Sequence, residues 1–110
     1  MKKTFSFGFC IATLVLVLSS GSLVAQSGNP KTMQVRGDAL YEQRQYEQAG
    51  GYYMKLKDLF PDNIVYQYRA GVCTIYSGDA KLALQLIKGA YEKDPTLPNV
   101  NFYLGRAYLL

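Results

Sequence analysis

The chain has no histidine and no tryptophan, and only two cysteines, Cys10 and Cys73. Lacking histidine, it lacks the commonest general base and the commonest metal ligand. Two thiols cannot form a multi-cysteine metal site. If the N-terminal segment is removed, Cys73 stands alone, so no internal disulfide is expected and cysteine usage reports nothing about compartment. Charge is also sparse, at 18% of 110 residues with a formal net of +4. Lys2 and Lys3 carry two of those charges. The remainder has ten Lys plus Arg against eight Asp plus Glu, a net of +2. So small and scattered an excess does not suit nucleic-acid binding, which draws on clustered phosphate contacts. No phosphate-binding glycine loop appears either, because Gly50-Gly51 lacks a following Lys-Ser/Thr and Gly78 belongs to a turn. The carboxylates Asp38, Glu42, Glu47, Asp58, Asp62, Asp79, Glu92 and Asp94 fall mostly at helix ends or on polar faces, where capping explains them. No catalytic residue, cofactor or metal is expected.

What is present begins with an address. Met1-Lys2-Lys3 is a short positive region, and no residue from Phe5 to Leu18 is charged. Ile11 to Leu18 is the apolar centre, and Ser19 to Ala25 supplies the small residues of a cleavage region. This is the layout of a secretory signal peptide over 1–25. Cleavage is expected after Ala25, leaving Gln26 first, with Ser22 the alternative bond because Leu23 is large. An uncleaved membrane anchor is the rival reading, since Phe5 to Ala25 is long enough to cross a bilayer. Cys10 precedes the apolar run, which argues against a lipid-modified cysteine. The layout points to a bacterial, exported protein, periplasmic or associated with the outer membrane. Residues 26–29 form a linker.

Beyond the linker the sequence repeats. Gly37, Gly71 and Gly105 are spaced by 34 and 34, and the pairs Ala49/Ala83 and Pro61/Pro95 share that interval. Each period reads as two helices. Pro30 to Arg44 carries Met33, Val35, Ala39, Leu40 and Tyr41 at helical spacing, with Asn29 placed to cap and Pro30 at the permitted first position. Tyr46 to Phe60 aligns Tyr46, Ala49, Tyr53, Leu56 and Phe60 on one stripe. Pro61-Asp62-Asn63 ends it and caps the next helix, Ile64 to Tyr76. Asp79 then caps Ala80 to Lys93, Asp94-Pro95 stops it, and Pro98 opens a third period through Leu110.

These residues resemble the tetratricopeptide repeat family over 30–110. The resemblance implies an all-α solenoid of antiparallel helix hairpins, with repeats at 30–63 and 64–97 and the first helix of a third at 98–110. Its small positions match Gly37, Gly71 and Gly105, and Ala49 and Ala83. Its large apolar position matches Tyr53 and Ile87, its hairpin-ending proline matches Pro61 and Pro95, and Leu104 and Tyr108 match packing positions of the third repeat. Arg36 stands where the family prefers leucine, as suits an edge repeat. Gly50-Gly51 lies inside a helix at about 1 kcal/mol per glycine against alanine, either for close contact or as a soft first hairpin. Cys73 matches a small position and reads as a buried contact. Because the third period has no second helix, the sequence is expected to be part of a longer protein.

The resemblance further implies that first helices line a concave groove. By position that groove would hold Gln34, Asp38 and Tyr41, then Tyr68, Val72, Ile75 and Tyr76, then Phe102, Arg106 and Leu109. A protein or peptide partner, extended or helical, would anchor on Tyr68 and Phe102. Family members that grip a terminal carboxylate use lysine and asparagine where this chain has Gln34 and Asp38, and Asp38 would repel one. The Tyr-rich start behind an export signal is also similar to repeats that precede peptidoglycan-binding OmpA-type domains. The function this implies is a non-catalytic scaffold for an envelope complex, touching membrane only through the signal or further domains. Two rivals are the docking module of a secreted hydrolase and a membrane-anchored adaptor.

Overall fold

The computed structural model describes residues 28–110, so the expected signal segment with Ala25 and Gln26 lies outside the described residues. The chain divides after Thr32. Of the first unit, the described part is a helix start. There Asn29 Oδ1 accepts the backbone N–H of Lys31 at 2.8 Å and of Thr32 at 3.5 Å. That is the cap expected of an asparagine before Pro30.

The described residues form helices α1 (Pro30–Glu42), α2 (Tyr46–Leu59), α3 (Ile64–Ser77), α4 (Ala80–Lys93) and α5 (Val100–Leu109), with no strand among them. Their boundaries follow from local chemistry. Asn63 accepts from Val65 N–H at 3.1 Å, and Asp79 accepts from Leu82 N–H at 3.1 Å, so α3 and α4 begin on side-chain caps. Gly78 takes a left-handed φ of 94°, which lets its N–H bond the Thr74 carbonyl and close α3. α1 stops two residues before the expected Arg44. Arg44 adopts φ 62°, and Gln45 N–H folds back to the Leu40 carbonyl at 2.8 Å. A non-glycine residue there costs about 1 kcal/mol. α5 starts at Val100 rather than Pro98 because Asn99 is also left-handed, at φ 59°.

Packing is mainly sequential: α2 lies on α3, α3 on α4 and α4 on α5, while α1 meets α2 at Gly37. One core cluster joins Met33, Ala49, Tyr53, Leu56, Ala70, Cys73 and Leu86. The next joins Tyr68, Val72, Ile75, Ala83, Ile87, Ala90, Leu97, Val100 and Ala107. Tyr53, Leu56, Val72 and Ile87 are fully buried, each contributing about 2 kcal/mol of hydrophobic stabilisation. The described residues are all-α, five helices with mainly sequential packing, consistent with a helical solenoid.

The 34-residue interval is visible in the contacts themselves. A Cβ placed at Gly37 would meet Tyr52 Cβ at 3.2 Å and the Tyr53 ring at 3.6 Å. One placed at Gly71 would meet Leu86 Cβ at 3.1 Å and Ile87 Cγ1 at 2.6 Å. The same two positions of the following helix press on the glycine each time. Gly50 also lies against a neighbour, Cys73, whose Cβ would be 3.0 Å from a Cβ at 50, whereas Gly51 faces open space. The glycine pair therefore does two things: Gly50 lets α2 approach α3, and Gly51 packs against nothing.

Several expected packing residues fall outside the core. Val35 is 58% exposed and Ala39 is exposed, because among the described residues α1 is covered on one side only. Phe60 lies past the end of α2 and is exposed, tilted against Tyr66. A Cβ placed at Gly105 would meet no other helix within 4 Å and Tyr108 is exposed, so the third copy of the small-residue position makes no helix contact among the described residues. Leu104 is half-buried, and Pro61 and Pro95 are exposed in their turns. Leu97 and Val100, which carried no expectation, are buried and tie the connection after α4 to the core.

Candidate interaction face

Side chains link the odd-numbered helices: Asp38 of α1 accepts from Arg69 of α3, and Tyr68 of α3 meets Tyr103 of α5 edge-on. Of the ten residues expected to line a groove there, Tyr68, Val72 and Ile75 are buried and present no surface. Tyr68 is held inward by its hydroxyl, which donates to the Pro98 carbonyl at 2.5 Å. Burial, followed by the neighbouring Tyr103, pushes its pKa up to about 12. The anchor expected at Tyr68 is therefore a core residue, covered in part by Tyr41 and Tyr103, which pack against its cluster. Gln34, Tyr76, Phe102, Arg106 and Leu109 are exposed, while Asp38 and Tyr41 are half-buried.

At the α1 end of this face Asp38 is already satisfied. Its Oδ1 accepts from Arg69 Nη1 at 2.7 Å and from the Tyr53 hydroxyl at 2.6 Å, and Arg69 Nη1 also donates to Tyr53 at 3.0 Å. The Arg69 guanidinium lies 5.0 Å from the centre of the Tyr41 ring and 5.7 Å from that of Tyr53. Tyr41 meets Tyr46 and Tyr53 edge-on. Burial raises the Tyr53 pKa, and its hydrogen bond to Asp38 adds to the shift. Burial likewise raises that of Tyr41. Asp38 was expected to repel a partner's carboxylate. With its charge offset by Arg69, that repulsion is largely removed.

Toward α5 the surface is aromatic and open. Tyr46 and Tyr76 stack with ring centres 4.1 Å apart and planes 10° from parallel. Arg106 lies over Tyr76 at 5.3 Å and over Phe102 at 5.9 Å, and Phe102 meets Tyr103 edge-on. Beside the stack, Arg44, Gln45, Tyr46, Glu47, Gln48 and Tyr76 line a recess. Compared with family models, curated proteins and solved structures, the chain matches none.

Arg69 and Tyr103 escaped the sequence reading, and Tyr46 was read as part of the packing stripe of its helix and not as part of this face. Arg69 and Tyr103 stand 34 residues apart at one repeat position, next to the positions assigned to the groove, and that register was the available signal. Tyr46 opens a second helix and reaches the face by stacking on Tyr76 and meeting Tyr41 edge-on. Cys73 is buried as expected, and burial pushes its thiol up to about 12. Among the described residues no cluster of His, Cys, Asp and Glu could hold a metal, and no helix is long and apolar enough to cross a membrane.

Proposed function

We propose that this chain is a non-catalytic protein-interaction scaffold of tetratricopeptide type, exported to the bacterial envelope. The observation that carries the reading is the recurrence at 34 residues of one helix contact, Gly37 on Tyr52 and Gly71 on Leu86. A repeat of this kind builds an extended face from equivalent helices, and extended faces suit polypeptide ligands. The exposed part of that face, Tyr76, Phe102, Arg106 and Leu109, is aromatic, cationic and aliphatic, the composition from which protein–protein anchors are usually drawn. Tyr68, Val72 and Ile75 serve this face from beneath and do not touch the partner. The export part of the proposal rests on the charge and apolar pattern of 1–25.

Site-specific photo-crosslinking in cells tests the binding face. A benzophenone side chain at Phe102 should give a discrete protein adduct, and one at the exposed Lys88 of α4 should not. Adducts of equal strength at both positions, or at neither, would overturn the proposal. N-terminal sequencing of the exported product should begin at Gln26, and a start at Met1 contradicts cleavage.

A further inference from the structure

The connections after α2 and after α4 close with the same backbone bonds but carry different side chains. Phe60 N–H donates to the Leu56 carbonyl at 2.8 Å, and Asp94 N–H donates to the Ala90 carbonyl at 2.8 Å. Asn63 N–H then bonds the Phe60 carbonyl, as Leu97 N–H bonds that of Asp94. In this 34-residue register Leu59, Phe60 and Asp62 of the first turn correspond to Lys93, Asp94 and Thr96 of the second. The second turn uses its carboxylate internally, since Asp94 accepts from the Thr96 N–H at 3.0 Å and from the Thr96 hydroxyl at 2.5 Å. In the first turn Asn63, not Asp62, caps the next helix. The ion pairs among the described residues are Lys57–Asp58 and Arg69–Asp38, and neither includes Asp62. Closing the turn therefore does not require Leu59, Phe60 or Asp62, yet Leu59 and Phe60 are 54% and 45% exposed.

Beside this turn lies an open recess of about 720 Å³, at the opposite end of α3 from Tyr76, and Phe60, Asp62 and Tyr66 all line it. The two rings lie 6.2 Å apart, tilted by 49°, and Tyr66 is held by its stack on the buried Tyr53. The cations that cover rings among the described residues are Arg69 and Arg106, and neither lies on Phe60 or Tyr66. The end of α2 meets the start of α3 here, so their opposite terminal dipoles offset, and Lys57 and Asp58 neutralise each other. Asp62 is left to set the sign of the recess. Aromatic faces attract a cation through their quadrupole, and a nearby carboxylate adds direct charge.

We infer that the recess of Phe60, Asp62 and Tyr66 is a second contact site, which takes a lysine or arginine side chain of a partner polypeptide. Apolar neighbours of that basic residue would cover Leu59 and Phe60. The site goes beyond the face that carries Tyr76 and Phe102 and does not depend on it.

A nuclear magnetic resonance titration of the full chain tests this, following the ring signals of Phe60 and Tyr66. The probe is a peptide alternating lysine with leucine, compared with a counterpart in which glutamine replaces each lysine. The lysine peptide should shift both rings saturably and bind there roughly tenfold tighter than the glutamine peptide. Asp62→Asn should reduce that preference, and Phe60→Asp with Asp62→Thr should abolish it. The double variant should keep its helical circular dichroism, because the second turn closes with those same residues. Equal binding of the two peptides would overturn the cation preference. Absence of shifts at Phe60 and Tyr66 would overturn the site itself, whatever crosslinking at Phe102 shows for the scaffold reading. Shifts that follow protein concentration alone would assign the recess to a second copy. Shifts with phosphatidylcholine vesicles but not with the peptides would assign it to a lipid headgroup, and either result overturns the inference.

Discussion

A Cβ built on Gly71 would stand 2.6 Å from Cγ1 of Ile87, with Leu86 Cβ and the Ile87 backbone nitrogen at 3.1 and 3.2 Å. No rotamer change of Ile87 moves its backbone nitrogen, so Gly71→Ala must push α3 and α4 apart. A cost of about 2–3 kcal/mol is expected, read as a lower urea midpoint at unchanged slope. Gly105 occupies the same repeat position, but a Cβ built there would meet nothing within 4 Å. Gly105→Ala should therefore stabilise by about 0.5–1 kcal/mol through helix propensity and reduced freedom of the unfolded chain. If both substitutions shifted stability in the same direction, the helix contact would not be what distinguishes the two glycines.

The Asp38–Arg69 pair is half-exposed, with side-chain exposures of 41% and 32%, so its Coulomb contribution is screened. A double-mutant cycle with Asp38→Asn and Arg69→Gln should give a coupling of about 0.5–1 kcal/mol that shrinks in 1 M salt. Arg69→Gln alone should cost more than Asp38→Asn, by about 1 kcal/mol. It also removes the guanidinium from above Tyr41 and Tyr53. Asparagine at 38 can still accept from the Tyr53 hydroxyl. Equal single costs would mean that the contacts to the rings contribute nothing.

The order of the helices was legible because turn chemistry is local: Asn29, Asn63, Asp79 and Gly78 each act within a few residues of themselves. The close contacts at Gly37 and Gly71 were legible because a period of 34 survives any ignorance of crossing angle. What lay beyond reach was cover. Periodicity assigns Tyr68, Val72 and Ile75 to the same face as Tyr76, but it cannot say that the first three join a buried cluster covered by Tyr41 and Tyr103 while Tyr76 stays 44% exposed. Tyr68 and Tyr76 differ by what their neighbours do, and those neighbours belong to other helices. The left-handed Arg44 was missed because no glycine announces that conformation there, whereas Asn99 is of the residue type that tolerates it and the signal was available.

Alongside Tyr41 and Tyr53, whose pKa values burial also raises, Tyr68 and Cys73 should make the protein unfold in alkali. Their folded pKa values are both held at about 12, against ordinary values of 10.0 for the phenol and 9.0 for the thiol, with burial the first cause in each. A folded pKa above the unfolded one means that the native state keeps its proton after the unfolded chain has released it. The stability this confers is complete below pH 9 and is lost as the pH rises toward about 12. Helical circular dichroism and tyrosinate absorbance should therefore change together over that window. Tyr68→Phe separates the two roles of the side chain. At pH 7 it should cost about 1 kcal/mol, because the hydrogen bond to the Pro98 carbonyl is gone. Near pH 11.5 the deficit should narrow, because phenylalanine has no proton for the unfolded chain to lose. A Tyr68→Phe deficit that stayed constant from pH 7 to 11.5 would show that the Tyr68 phenol does not titrate differently in the folded and unfolded chains.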